Sequence, residues 1–234
     1  MLIKTVCIII PIFNEQKYLR GLLDSLLKEV KNLRVIKRIY IIDDGSSDNT
    51  PKIISSYKSK YHCISSIAHK KNLGKGSAMN TGFKKAIIGK PDCVIFMDGD
   101  RQHDPKYLIK FIEEIASHPI VFGYRNLSKN APTFRKYGNK IAGILIKNLF
   151  HIKRRDLLCG FMALRRDALK RITWKSKGYG VEAEITIMVA LKNINYGEVF
   201  IPTIYLDNKK GANIVHALRI LLKLPRWYFF PTRY

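Results

Sequence analysis

Two aspartates one residue apart, Asp98 and Asp100 in VIFMDGDRQHDP (94–105), are the residues of this chain best placed to do chemistry. They follow directly on an apolar run, residues 94–97. Neighbouring carboxylates at the end of a buried segment are costly unless a cation joins them. Oxygen donors of this kind suit a hard divalent ion, Mg²⁺ or Mn²⁺, of the sort shared with substrate phosphates. Gln102 and His103 follow within reach and could add a ligand or a supporting contact. The alternative is an acidic turn after a strand, since Asp-Gly is a frequent turn pair.

Other chemistry-bearing residues recur at similar places. Asp43 and Asp44 close a second apolar run and can accept hydrogen bonds from the N–H or hydroxyl groups of a nucleoside. Glu15, after a third apolar run, can do the same or brace its loop. Asn72-Leu73-Gly74-Lys75-Gly76 offers flexible backbone and one cation near a helix start, which suits phosphate oxygens. The glycine spacing of a phosphate loop and the dinucleotide GxGxxG are both missing, which disfavours hydride transfer. Arg125 and Arg135 are the candidates for a bidentate grip on a phosphate. Asp156 is one of 2 acids among residues 125–177, against 15 bases; it could orient a sugar hydroxyl or fix an arginine. Glu182 and Glu184 read as favourable charge at a helix start.

The elements that must position these residues alternate. β-branched residues 6–10 predict a strand, and Leu19, Leu22, Leu23, Leu26 and Leu27 predict one face of a helix. Strands follow at 35–42, 64–68, 93–97 and 120–122, and helices open near 50, 77, 105 and 135. A strand turning into a helix (162–169), a helix (185–191) and a final strand (199–206), broken by Pro202 and therefore near an edge, complete the pattern. Such alternation predicts an α/β fold with a mainly parallel sheet covered on both faces. Ligands then bind beyond the carboxyl ends of the strands, where the acidic segments fall.

Length and composition fit one sizeable core, or one domain with an extension: 234 residues, 47% of them apolar. The 4 cysteines are far apart and form no metal-binding or redox pair, as in a reducing compartment. No secretory signal is evident, and no apolar run approaches the roughly 18 residues needed to span a bilayer. The net charge of +24 seeks anions, and more than half of the excess lies in residues 125–177. That stretch lacks interleaved stacking aromatics, which argues against nucleic acid as partner. In residues 214–230, His216, Arg219, Lys223 and Arg226 form a basic stripe on an apolar helix ending in Trp227-Tyr228-Phe229-Phe230. This suits a helix lying in an anionic membrane interface, with docking on the sheet or a dimer contact as alternatives.

Taken together, PIFNE (11–15), IDDGSSDNT (42–50), KNLGKGSAMNTGF (71–83), MDGDRQHDP (97–105), CGF (159–161) and EVFIPTIY (198–205) resemble the inverting family 2 glycosyltransferases. The branch most similar is that of the polyprenyl-phosphate sugar synthases, which includes dolichyl-phosphate mannose synthase. The resemblance spans about residues 5–210 and implies a GT-A nucleotide-diphospho-sugar transferase fold. Residues 1–212 would form the catalytic domain, with a nucleotide-sugar half (about 1–124) and an acceptor half (about 125–212). Residues 213–234 would form the amphipathic segment. Pro11, Phe13, Glu15, Asp43, Asp44, Lys75, Asp98 and Gly99 are then the expected nucleotide-sugar contacts. Asp98 and Asp100, with Gln102, match the metal-binding positions, and Arg125 and Arg135 those that bind donor or acceptor phosphates. The implied reaction moves a sugar from a nucleotide-sugar to a polyprenyl monophosphate on the cytoplasmic face of the membrane. GDP-mannose is the favoured donor, with UDP-glucose or a UDP-N-acetylhexosamine as alternatives. A second version transfers to a glycan hydroxyl, which needs a base, and Asp156 is its candidate.

Overall fold

The computed structural model describes residues 2–126, 133–202, 222–225 and 227–229, with the backbone alone for 133–140. β1 (Val6–Ile12) is buried at every position, as a strand covered on both faces must be. α1 (Leu19–Asn32) buries its leucine stripe, Leu19, Leu22, Leu23, Leu26 and Leu27. β2 (Ile36–Asp43), α2 (Thr50–Lys60), β3 (Ile64–Ala68), α3 (Lys75–Ile88) and β4 (Cys93–Phe96) continue the alternation. A 3-10 turn, Pro105–Tyr107, is capped by Asp104, whose carboxylate accepts the Lys106 N–H, and it leads into α4 (Leu108–Glu114). Then come β5 (Ile120–Tyr124), α5 (Thr133–Phe150), β6 (Met162–Arg165), α6 (Arg166–Leu169), α7 (Val181–Leu191) and β7 (Tyr196–Phe200).

The strands form one 7-stranded sheet in the order β3-β2-β1-β4-β6-β5-β7. β6 runs antiparallel to both β4 and β5, and the other pairings are parallel. Successive side chains of a strand face opposite sides of the sheet, and β1 divides the core accordingly. Ile8, Ile10 and Ile12 pack with Leu22 and Leu26 of α1 and Phe111 of α4. Cys7 and Ile9 pack with Met79 and Phe83 of α3 and Ile185 of α7. Helices therefore cover both faces.

Some boundaries differ from the sequence expectation. α3 starts at Lys75 and α7 at Val181, earlier than 77 and 185, because Lys75, Ser77, Glu182 and Glu184 in their first turns find partners in the fold. β7 occupies 196–200 because it pairs residue for residue with Ile120–Tyr124. It is an edge strand, Pro202 falls just beyond it, and residues 203–206 lie outside the described residues. His216, Arg219 and Arg226 of the basic stripe also lie outside them. In the described part of that segment, Leu224 and Trp227 join the core with Phe150, while Leu222 and Phe229 are 79% and 70% exposed.

Candidate active site

The strand order reverses between β1 and β4, which opens a crevice at their carboxyl ends. Met97 N–H still bonds the Ile9 carbonyl at 3.1 Å, and Asp98 is the next residue. Gly99 lies against β1: a Cβ there would meet Ile12 Cγ1 at 2.9 Å and the Pro11 carbonyl at 3.2 Å. β6 enters from the same edge because it runs backwards, and this brings Gly160 onto Asp98. A Cβ on Gly160 would lie 2.5 Å from Asp98 Oδ1 and 2.6 Å from its Cγ.

Asp100 Oδ1 accepts the Gln102 N–H at 3.0 Å, which folds the segment back with Arg101 in the left-handed region (φ 61°). Gln102 and His103 are buried behind it. Burial would raise the Asp98 pKa, but the Lys75 ammonium reverses this and holds it below the ordinary value. Among the described residues Asp100 has no such partner at contact distance; burial and the Asp98 charge push it up to about 6. Burial pushes His103 down to about 4, so its ring is neutral.

This is the electrostatic signature of a pair short of positive charge. Among the described residues no group of three His, Cys, Asp or Glu side chains surrounds a metal position. Two carboxylates with an amide beside them fit a hard ion that takes its remaining oxygens from phosphates and water, as Mg²⁺ characteristically does.

Lys75 is the first residue of α3. Its Nζ stands 2.5 Å from Asp98 Oδ1 and 2.6 Å from Glu182 Oε1 on the first turn of α7. Burial alone would lower the Lys75 pKa, and the two carboxylates reverse that and raise it. Hydrogen bonds fix the loop before it and the segment 174–177 that packs against it. Asp44 accepts the N–H groups of Leu73 (2.9 Å) and Gly74 (2.7 Å) and faces His69 Nδ1 at 2.7 Å. Gly74 takes φ +94°, and a Cβ there would sit 2.5 Å from the Lys177 carbonyl. Glu184 accepts the N–H groups of Lys175 (2.9 Å) and Ser176 (2.8 Å), and Trp174 Nε1 donates to the Gly76 carbonyl at 2.9 Å.

Arg125 follows β5 at the same edge. Asp156, fully buried, accepts its Nε–H at 2.6 Å and an Nη2–H at 3.3 Å, and a further Nη2–H reaches the Leu158 carbonyl at 3.4 Å. Burial alone would lower the Arg125 pKa, and Asp156 more than offsets it. The side chain of Arg135 lies outside the described residues.

The sequence profile of glycosyl transferase family 2 matches residues 7–173 of this chain. The chain belongs to glycosyl transferase family 2. This glycosyltransferase is 30% identical over 243 residues to UDP-N-acetylglucosamine–dolichyl-phosphate N-acetylglucosaminyltransferase of Methanococcus voltae, covering 94% of this chain and 95% of that protein. It is 29% identical over 236 residues to dolichol-phosphate mannosyltransferase of Pyrococcus furiosus, covering 95% of this chain and 64% of that protein. Its fold is similar to that of glucosyl-3-phosphoglycerate synthase from Mycobacterium tuberculosis, solved in complex with Mn²⁺ and UDP. The TM-score is 0.73 at 16% identity, covering 96% of this chain and 80% of that one. The fold is GT-A, with a mostly parallel sheet.

The glycosyltransferase thus brings Pro11, Asp98, Gly99 and Lys75 together at one edge. Glu15 and Asp43 belong to a neighbouring loop cluster: Glu15 N–H bonds Thr50 Oγ1 at 2.9 Å, and Asp43 Oδ1 accepts the Ser46 N–H at 3.0 Å. Phe13 is exposed beside them. Sequence reasoning gave Glu182 and Glu184 only a favourable position in a helix; the structure buries both, one on Lys75 and one on the loop opposite. Their signal was a pair of acids in the otherwise apolar VEAEITIMVAL, in a chain with 42 bases and 18 acids.

Proposed function

We propose that this glycosyltransferase moves a hexose from a nucleoside diphosphate sugar to a polyprenyl monophosphate, with inversion at the anomeric carbon. The observation that carries the choice of acceptor is the state of Asp156. Its carboxylate is wholly buried and engaged with Arg125, a poor position for a general base. A phosphate monoester needs none, because its second pKa is about 6 and it arrives largely ionised. The names of the two relatives above, both dolichyl-phosphate sugar transferases, support the same acceptor.

Asp98 and Asp100, with Gln102 beside them, would hold Mg²⁺ or Mn²⁺. When bound, that ion neutralises a diphosphate leaving group. Pro11, Phe13, Glu15 and Asp43 would line the nucleoside, and Asp44 holds the loop that presents Lys75 to the diphosphate. Arg125, oriented by Asp156, and Arg135 would hold the acceptor phosphate in line with the anomeric carbon. An acceptor phosphate oxygen then forms the new bond to that carbon from the face opposite the donor. The bond to the diphosphate breaks, and its electron pair leaves with the nucleoside diphosphate. The net charge of +24 and the exposed Leu222 and Phe229 support work at an anionic, cytoplasmic membrane surface. Among the described residues no helix is long and apolar enough to cross a membrane.

The test supplies GDP-mannose and a panel of UDP-sugars with a short polyprenyl phosphate, with and without EDTA. One donor is expected to give an organic-extractable glycolipid, with formation lost in EDTA and in Asp98→Asn. Failure of every donor with folded protein would overturn the lipid-phosphate reading.

A further inference from the structure

Lys75 already holds the place a metal would want. Its ammonium lies 2.5 Å from Asp98 Oδ1, with only 15% of the Lys75 side chain exposed. Glu182 shares the same ammonium at 2.6 Å through Oε1. The other carboxylate oxygen, Glu182 Oε2, is buried with no hydrogen-bond partner among the described residues. A buried, unpartnered carboxylate oxygen is rare and calls for a reason.

We infer that Lys75 is a resident counter-cation of Asp98 which an arriving divalent ion displaces, and that Glu182 is the positioning residue that receives the displaced ammonium. The inference rests on the proposed cation site at Asp98 and Asp100. A divalent ion and an ammonium on one carboxylate repel strongly in a site with little water. Glu182 Oε2 gives the ammonium a second acceptor a short side-chain movement away. The backbone need not move, because Asp44 accepts the Gly74 N–H and the Lys177 carbonyl accepts the Ser77 N–H at 3.0 Å. Loading the cation thereby turns Lys75 from a group neutralising Asp98 into one able to meet the donor diphosphate. The empty enzyme meanwhile avoids an uncompensated buried carboxylate.

Two measurements on the whole protein test this without turnover. The first is the rate of Lys75 acetylation by an N-hydroxysuccinimide ester, followed by peptide mass spectrometry, while bound Mn²⁺ is counted by electron paramagnetic resonance. Without metal, Lys75 should react far more slowly than surface lysines; Mn²⁺ should raise its rate severalfold; and Asp98→Asn should raise the metal-free rate and abolish the response. The second is a double-mutant cycle on Mn²⁺ affinity. Glu182→Gln should weaken binding about tenfold in the wild-type background and less than about twofold in Lys75→Met, because Glu182 acts through Lys75. Equal effects in both backgrounds, or Mn²⁺ bound with Lys75 labelling unchanged, would overturn the exchange and leave the cation site standing. Failure of the folded wild-type protein to bind Mn²⁺ would overturn the exchange together with the cation site.

Discussion

At the scale of single residues, the site depends on a missing side chain. Gly160 presents bare backbone to the Asp98 carboxylate, where a Cβ would lie 2.5 Å from Oδ1. Gly160→Ala must therefore push Asp98 away from Lys75 or shift the start of β6. The expected outcome is a loss of about 1–3 kcal/mol in stability, typical of overpacking a tight site. Donor turnover should fall at least tenfold, measured by thermal denaturation beside initial rates. An alanine variant with normal turnover would show that the close approach does not matter. Asp98 and Asp100 were legible in the sequence because carboxylates after a buried strand are conspicuous. Glu182 was not: its helical position explains a carboxylate equally well as a cap charge or as the partner of Lys75, and only burial separates these.

At the scale of elements, Asp92 ties the start of β4 to the start of β1 and to α6. Its carboxylate accepts the Lys4 N–H at 3.0 Å and the Thr5 N–H and hydroxyl at 2.9 Å each, and it meets Arg166 Nη2 at 3.0 Å. Burial would raise its pKa, but these donors outweigh it and hold it below the ordinary aspartate value. A depressed carboxyl pKa contributes stability above the unfolded-state value of about 3.9, and the contribution is lost as pH falls through the folded-state value. Asp92→Asn should cost about 1–2 kcal/mol near neutral pH, the worth of charge-assisted hydrogen bonds. Denaturant titrations at pH 7 and pH 3 should show the gap between variant and wild type shrinking at the lower pH. A gap independent of pH would rule out the charged form as the source. The strands and helices were readable from period and composition. The reversal of β6 was not, because an apolar run looks the same in either direction; pairing with β4 and β5 decides it.

At the scale of the molecule, the excess of positive charge belongs with the exposed apolar residues Ile141, Ile144, Leu222 and Phe229. On the proposed reading, charge would draw the protein to an anionic surface and apolar side chains would then hold it there. Co-sedimentation should show binding to vesicles containing anionic phospholipid at low salt, and a severalfold loss in about 0.5 M salt as screening shortens the field. Equal binding to neutral vesicles would leave the charge without this role.

The sequence by itself determined the alternation of strands and helices, the carboxylates at the strand ends and the family, because period, burial and short motifs are local properties of the chain. Tertiary structure alone decided that Lys75 lies between Asp98 and Glu182, that Asp156 is engaged with Arg125, and that Gly160 makes room for Asp98. These partners are separated by 23 to 107 positions in the sequence. Which charge meets which is fixed only when the sheet order brings their strand ends to one edge.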